Sequence, residues 1–341
     1  MSYETENFLP VGVSAIQAAK FALLLGYVRA GTYAHMGSPK TLSLIHFEET
    51  DYRSWQAVEL SISTTESGVV VGTRTRVGRS TYDFQFQNRT VAEFKRRFGG
   101  KASKDGPNGE GYNPGPAVTP AASGCYLSMR RFDWHFSRLQ RYLMARELPK
   151  SPEGADFSEK TWPVMLELNP EVFSNNVLVP YLVSMLEEYF RSSYIALLRY
   201  SEKKQAILKG VRLSGEQLVS ISNKTLSVEE AVAETLPFQR LSAVARHFKE
   251  LDPKLDLIGA LKKPYRGRKK SLFESLDALT TQRHALVHGM EIDITLRGKR
   301  LDSLVANVAA SAGRSYRHIT EHYGWFKQLN GFAEFSSHSR A

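Results

Sequence analysis

In the N-terminal third of the chain, short runs alternate between inward-type and polar side chains. They are Leu42, Leu44 and His46; Val58, Leu60 and Ile62; the stretch Gly68–Val77; and Tyr82, Phe84 and Phe86. A period of two puts one set of side chains on each face of a strand. Glu66-Ser67-Gly68 and Gly78-Arg79-Ser80 supply turn residues between runs, which predicts an antiparallel meander of three or four strands. A short basic helix over Val91–Phe98 should follow, and an amphipathic helix over Ser14–Arg29 should precede. From Phe132 the period changes: Phe132, Phe136, Leu139 and Leu143 recur at helical spacing. Further helices are expected over about Asn175–Tyr200, Leu272–His288 and Leu301–Trp325. Ser227 with Glu230, and Ser271 with Glu274, have the spacing of capping boxes, and Gly289 stands where a C-terminal glycine ends a helix.

This pattern predicts an α+β protein in two parts. Residues 1–98 form a domain with a small antiparallel sheet and helices, a candidate sensor. Residues 99–124 hold 7 Gly and 4 Pro in 26 positions, the composition of a flexible linker or loop. Residues 125–169 carry a connecting basic helix and loop, and residues 170–341 an all-α helical bundle. No repeat of 20 to 50 residues is visible.

Charge narrows the partners. Forty-five Lys and Arg against 35 Asp and Glu give a net charge of +10, which favours a polyanion. Two features carry this locally: Arg130, Arg131, Arg138, Arg141 and Arg146 surround Trp134 and His135, and Lys262, Lys263, Arg266, Arg268, Lys269 and Lys270 crowd nine positions before the helix at 272. Each fits either a phosphate backbone or an ordinary solvated face. Arg74 and Arg76 could form a sensing surface on a strand, or simply its solvent side. The single cysteine, Cys125, excludes an intrachain disulfide and any multi-cysteine metal site, and the expectation is an intracellular, cytoplasmic protein. The apolar run Phe21–Val28 is interrupted by charge before it reaches bilayer length, so no membrane partner is expected.

Nucleotide-binding glycine signatures and the serine-hydrolase elbow are absent, and no cofactor is implied. His318-Ile319-Thr320-Glu321-His322 has the spacing of an inverted zinc-peptidase motif, although zinc would need a third protein ligand. The richer constellation is Gln282-Arg283-His284-Ala285-Leu286-Val287-His288-Gly289 at a helix end. Cationic side chains there also suit the negative end of the helix dipole. Five positions rotate about 500°, so Arg283 and His288 stand about 140° apart on a regular helix. The helix must therefore distort, or the site must be composite.

Arg283 and His288, with polar His284 directly after the arginine, resemble the Arg-polar-x-x-x-His motif of the HEPN superfamily. Glu187 and Arg191 resemble its Glu-x-x-x-Lys/Arg motif in an earlier long helix. The resemblance covers roughly 170–325. It implies a metal-independent endoribonuclease, commonly a toxin or antiviral defence effector. It also implies a homodimer in which both copies' arginine and histidine line one cleft, with an antitoxin or activator as a possible partner. Histidine can serve as proton donor or acceptor near neutral pH, and arginine can clamp phosphate oxygens. The implied roles are His288 as general acid and base, Arg283 as phosphate clamp and His284 as orienting partner. Glu187 and Arg191 would position substrate, and the basic residues from Lys262 to Lys270 would bind RNA. Some relatives carry a modifiable tyrosine two residues after the histidine; here that position is Met290. A HEPN-like module that only binds RNA or protein is the alternative, and a zinc peptidase built on His318 and His322 is a second.

Overall fold

A computed structural model describes residues 2–30, 41–104, 118–146, 169–265, 267 and 269–325. The chain is α+β and divides into two compact units, Met1–Ser123 and Gly124–Ala341.

The first unit contains β1 (Tyr3–Phe8), α1 (Ala15–Leu24), β2 (Val28–Arg29), β3 (Leu42–His46), β4 (Val58–Thr65), β5 (Gly68–Thr75), α2 (Thr81–Phe98) and β6 (Lys101–Lys104). The strands form one antiparallel sheet in the order β2-β3-β4-β5-β1-β6. The β3-β4-β5 meander is the one the alternation predicts, with Leu44 opposite Leu60 and Leu60 opposite Thr73. Its apolar face, Leu44, Val58, Leu60, Ile62, Val69 and Val71, packs under Ala18 and Ala22 of α1 and Phe86 and Phe94 of α2.

Two expectations need correction. Tyr82, Phe84 and Phe86 lie in α2, not in a fourth meander strand. Ser80 and Asp83 cap that helix reciprocally, and Tyr82, Phe86, Thr90, Phe94 and Phe98 form a four-residue-spaced stripe that outweighs the three-position alternation. The helix expected over Ser14–Arg29 stops at Leu24, and Val28–Arg29 turns into β2. Two further strands carried no hydrophobic period. In β1 the buried positions are Thr5 and Asn7, and β6 reads Lys-Ala-Ser-Lys. β6 falls within the Gly/Pro-rich stretch, of which residues 105–117 lie outside the described residues. Arg74 and Arg76 are met by Glu4 and Glu59 at 3.0 and 2.7 Å, so carboxylates on the flanking strands offset their charge.

The second unit is helical. It takes in α3 (Pro120–Arg146) from Gly124 onward, α4 (Pro170–Arg199), α5 (Lys204–Gly210), α6 (Gly215–Ser222), α7 (Val228–Glu234) and α8 (Leu241–Leu251). It is completed by α9 (Leu257–Lys262), α10 (Leu272–Gly289) and α11 (Gly298–His322). Contacts from Arg131 to Glu188, His135 to Tyr181 and Tyr142 to Ser174 set α3 and α4 antiparallel. α4 is the core element: Val179, Leu182, Leu186, Phe190 and Leu198 are among its buried positions, and α7, α8, α10 and α11 pack against it. Among the described residues no helix is long and apolar enough to cross a membrane.

Candidate functional site

The Arg283–His288 motif lies on α10, which begins at the expected box: Ser271 Oγ accepts from Glu274 N–H at 3.2 Å and Glu274 accepts from Ser271 N–H at 2.8 Å. Buried Leu272, Leu276 and Leu279 follow at steps of four and three, and the next position on that stripe is Arg283. The core face of α10 therefore carries its arginine toward α4. There the guanidinium groups of Arg283 and Arg191 act on the Glu187 carboxyl. Burial pushes that carboxyl above the usual carboxylate range, and the two arginines oppose the rise. Among the described residues, Glu187 Oε1 and Arg191 Nε are buried without a hydrogen-bond partner. Arg283, about 95 positions on in sequence, thus meets the Glu187–Arg191 pair across one helix pair, with hydrogen-bonding capacity left over.

The histidines lie elsewhere on the same helix. His284 and His288 are one turn apart and exposed, with ring centroids separated by 4.6 Å. α10 stays helical through Gly289, so it does not distort to swing His288 onto the face of Arg283. Gly289 is still helical; the left-handed residue that ends α10 is Met290, at φ 55°. Met290 and Glu291 return their amides to the carbonyls of Leu286 and Ala285, fixing His288 in the final turn.

The segment after α10 is held by residues the sequence reading passed over. Buried Asn176 donates to the Asp293 carbonyl at 3.0 Å and accepts from its amide at 2.9 Å, while Asn175 donates to the Leu296 carbonyl at 2.8 Å. The Asp293 carboxylate takes Gln282 Nε2 at 3.1 Å and Arg300 at 3.0 Å. Adjacent asparagines inside an apolar helix are poor helix formers, and that was the available signal.

The basic segment sits away from the histidines. Lys262 ends α9 with its ammonium over the Phe273 ring, Lys263 is exposed, and Arg314 of α11 donates to the Lys263 and Pro264 carbonyls. Lys269 and Lys270 are exposed just before Ser271, whereas Arg266 and Arg268 lie outside the described residues. Eighteen helical residues separate Lys270 from the end of α10, about 27 Å at 1.5 Å per residue. Adjacency to the start of the motif helix is not adjacency to the motif.

His318 and His322 occupy one face of α11 with ring centroids 6.5 Å apart. His322 Nε2 meets Asp252 Oδ2 at 2.7 Å, and burial, with His322 nearby, lowers the His318 pKa. Among the described residues no three metal-binding side chains cluster. The His322 hydrogen bond, aided by the Lys254 amide, holds the Asp252 carboxyl below its ordinary value of 3.8. A depressed carboxyl contributes stability above its unfolded value and loses that contribution as pH falls through the folded one. Asp252→Asn should therefore cost about 1 kcal/mol near neutral pH, allowing for solvent screening, with the difference closing in acid. Urea melts from neutral to strongly acidic pH measure it, and a pH-independent difference would refute the pairing.

No family model, curated protein or solved structure matches the chain.

Proposed function

We propose that the chain is a metal-independent endoribonuclease of the HEPN type, a toxin or antiviral defence effector whose site is completed by a second copy. The observation that supports this reading is the convergence of Arg283 with Glu187 and Arg191, where buried polar atoms retain unmet hydrogen bonds. In the reaction, the RNA 2′-oxygen attacks the adjacent phosphorus and the bond from phosphorus to the 5′-oxygen breaks. One His288 accepts the 2′-hydroxyl proton, and the His288 of the second copy supplies a proton to the departing 5′-oxygen. Arg283 stabilises the charge developing on the phosphorane oxygens, and His284, its ring tilted against that of His288 at 4.6 Å, orients it. Glu187 and Arg191 hold the clamp in place. The products are a 2′,3′-cyclic phosphate and a 5′-hydroxyl. An RNA long enough to reach Lys262, Lys263, Lys269 and Lys270 would gain phosphate contacts at the far end of α10.

A second reading keeps the fold as a binding module without chemistry. It is favoured by the separation of Arg283 and His288 onto different faces of a regular α10. The two readings part when purified wild-type and His288→Ala proteins are incubated with total RNA in EDTA and the ends are mapped. Cyclic-phosphate ends made by the wild type alone are expected. Intact RNA with both proteins, together with equal RNA binding, would leave the binding module.

A further inference from the structure

α4 presents a second constellation on the face next to Glu187. Successive helix positions diverge by about 100°, so Glu188 points away from the Arg283 cluster and toward α3. There a cavity of about 180 Å³ opens between the two helices, floored by Phe132, Met185 and Tyr189. At its rim Arg131 donates to Glu188 at 3.0 Å and to Ser192 at 3.4 Å, Ser192 donates to Glu188 at 2.7 Å, and Tyr181 meets His135 at 3.5 Å. Apolar walls with a few convergent polar groups are the composition of a small-ligand site. The guanidinium donates, the carboxylate accepts and the hydroxyl does both, which suits the edge of a flat heterocycle.

The surface outside the cavity indicates what carries such a ring. Trp134 is 56% exposed with the Arg138 guanidinium 5.2 Å from its ring centre, and Arg146 stands 5.6 Å from that of Tyr142. Phe173, Val177 and Tyr181 line α4 at intervals of four, all exposed. Aromatic faces interleaved with arginines are how single-stranded nucleic acids are held, bases on rings and phosphates on cations. A second copy docking here would set arginine against arginine, and an apolar peptide would leave those cations unmatched.

We infer that the α3–α4 groove binds single-stranded nucleic acid, with one unstacked base seated in the cavity and its neighbours on Trp134 and Tyr181. This deepens the ribonuclease reading by naming single strands as its substrate class, but it is measured by binding and not by cleavage. The test uses the full-length chain carrying His288→Ala, a fluorescent unstructured RNA and a duplex of the same sequence, in EDTA. The single strand should bind more tightly than the duplex. Trp134→Ala and Tyr181→Ala should each weaken it about 5- to 100-fold. Ser184→Phe, which fills the cavity from its exposed rim without removing a charge, should act in the same direction, and Arg138→Gln should flatten the salt dependence. Unchanged affinity in Ser184→Phe and Trp134→Ala proteins with wild-type circular dichroism would overturn the inference. So would a duplex preference, or an effect of these variants on sedimentation in place of RNA binding, which would assign the groove to a second copy. A wild type that binds single strands through this groove but never cuts them would defeat the cleavage reading and leave this one standing.

Discussion

Arg283→Ala should lower RNA cleavage by about 10²- to 10³-fold, the loss that follows removal of one preorganised donor to a developing oxyanion. Arg283→Lys should recover only part of it, because an ammonium cannot fork onto two phosphate oxygens. The same guanidinium also offsets the cost of burying Glu187, so a loss of activity alone would not separate chemistry from scaffolding. The pH dependence of stability separates them. A carboxyl raised in the folded state contributes stability below its unfolded value of 4.5, and that contribution is lost as pH rises through the folded value. Glu187→Gln abolishes this decline, and Arg283→Ala, by removing an opposing positive charge, steepens it. The double variant Glu187→Gln/Arg283→Ala should therefore regain stability near neutral pH while remaining inactive. Activity returning with stability would show that Arg283 only supports the fold.

Asn176→Ala should be strongly destabilising although it lies outside the apolar core. Asn176 is fully buried and makes three hydrogen bonds, to the Val172 carbonyl at 2.8 Å and to both backbone groups of Asp293. Truncation leaves the Asp293 amide and carbonyl without their partner, a cost of roughly 2–4 kcal/mol. For a unit of this size that lowers Tm by roughly 4–16 °C. The same bonds hold the segment that follows His288, so cleavage should fall even below the melting transition. Thermal melts and cleavage assays at a permissive temperature measure both effects. An Asn176→Asp protein keeps an acceptor for the Asp293 amide but loses the donor to its carbonyl, and should be intermediate. Melting within 1 °C of wild type would contradict the clamp.

What the sequence disclosed depended on which side chains filled the interior. The β3-β4-β5 meander announced itself because its inward positions are leucine, valine and isoleucine. β1 did not, because Thr5 and Asn7 occupy its inward positions, and no hydrophobic count can see a strand whose buried residues are polar. α2 was divided into a strand and a short helix because three aromatics imitate alternation locally, while the helical stripe appears only when read through Phe98. At the candidate site, spacing alone paired Glu187 with Arg191 and Arg283 with His288. Only the packing of α10 on α4 reveals that Arg283 joins the first pair while His288 stays with His284. The α3–α4 cavity was invisible because its walls come from two helices whose facing registers no single-chain pattern encodes.

Among the described residues the sheet ends in two residues at β2 and in the four residues Lys-Ala-Ser-Lys at β6. Short outer strands that carry arginine or lysine offer a foreign chain little ladder to extend, the usual protection against edge-to-edge fibril growth. The consequence is for the sheet itself: edges of this kind let it be present at high concentration without templating its own aggregation.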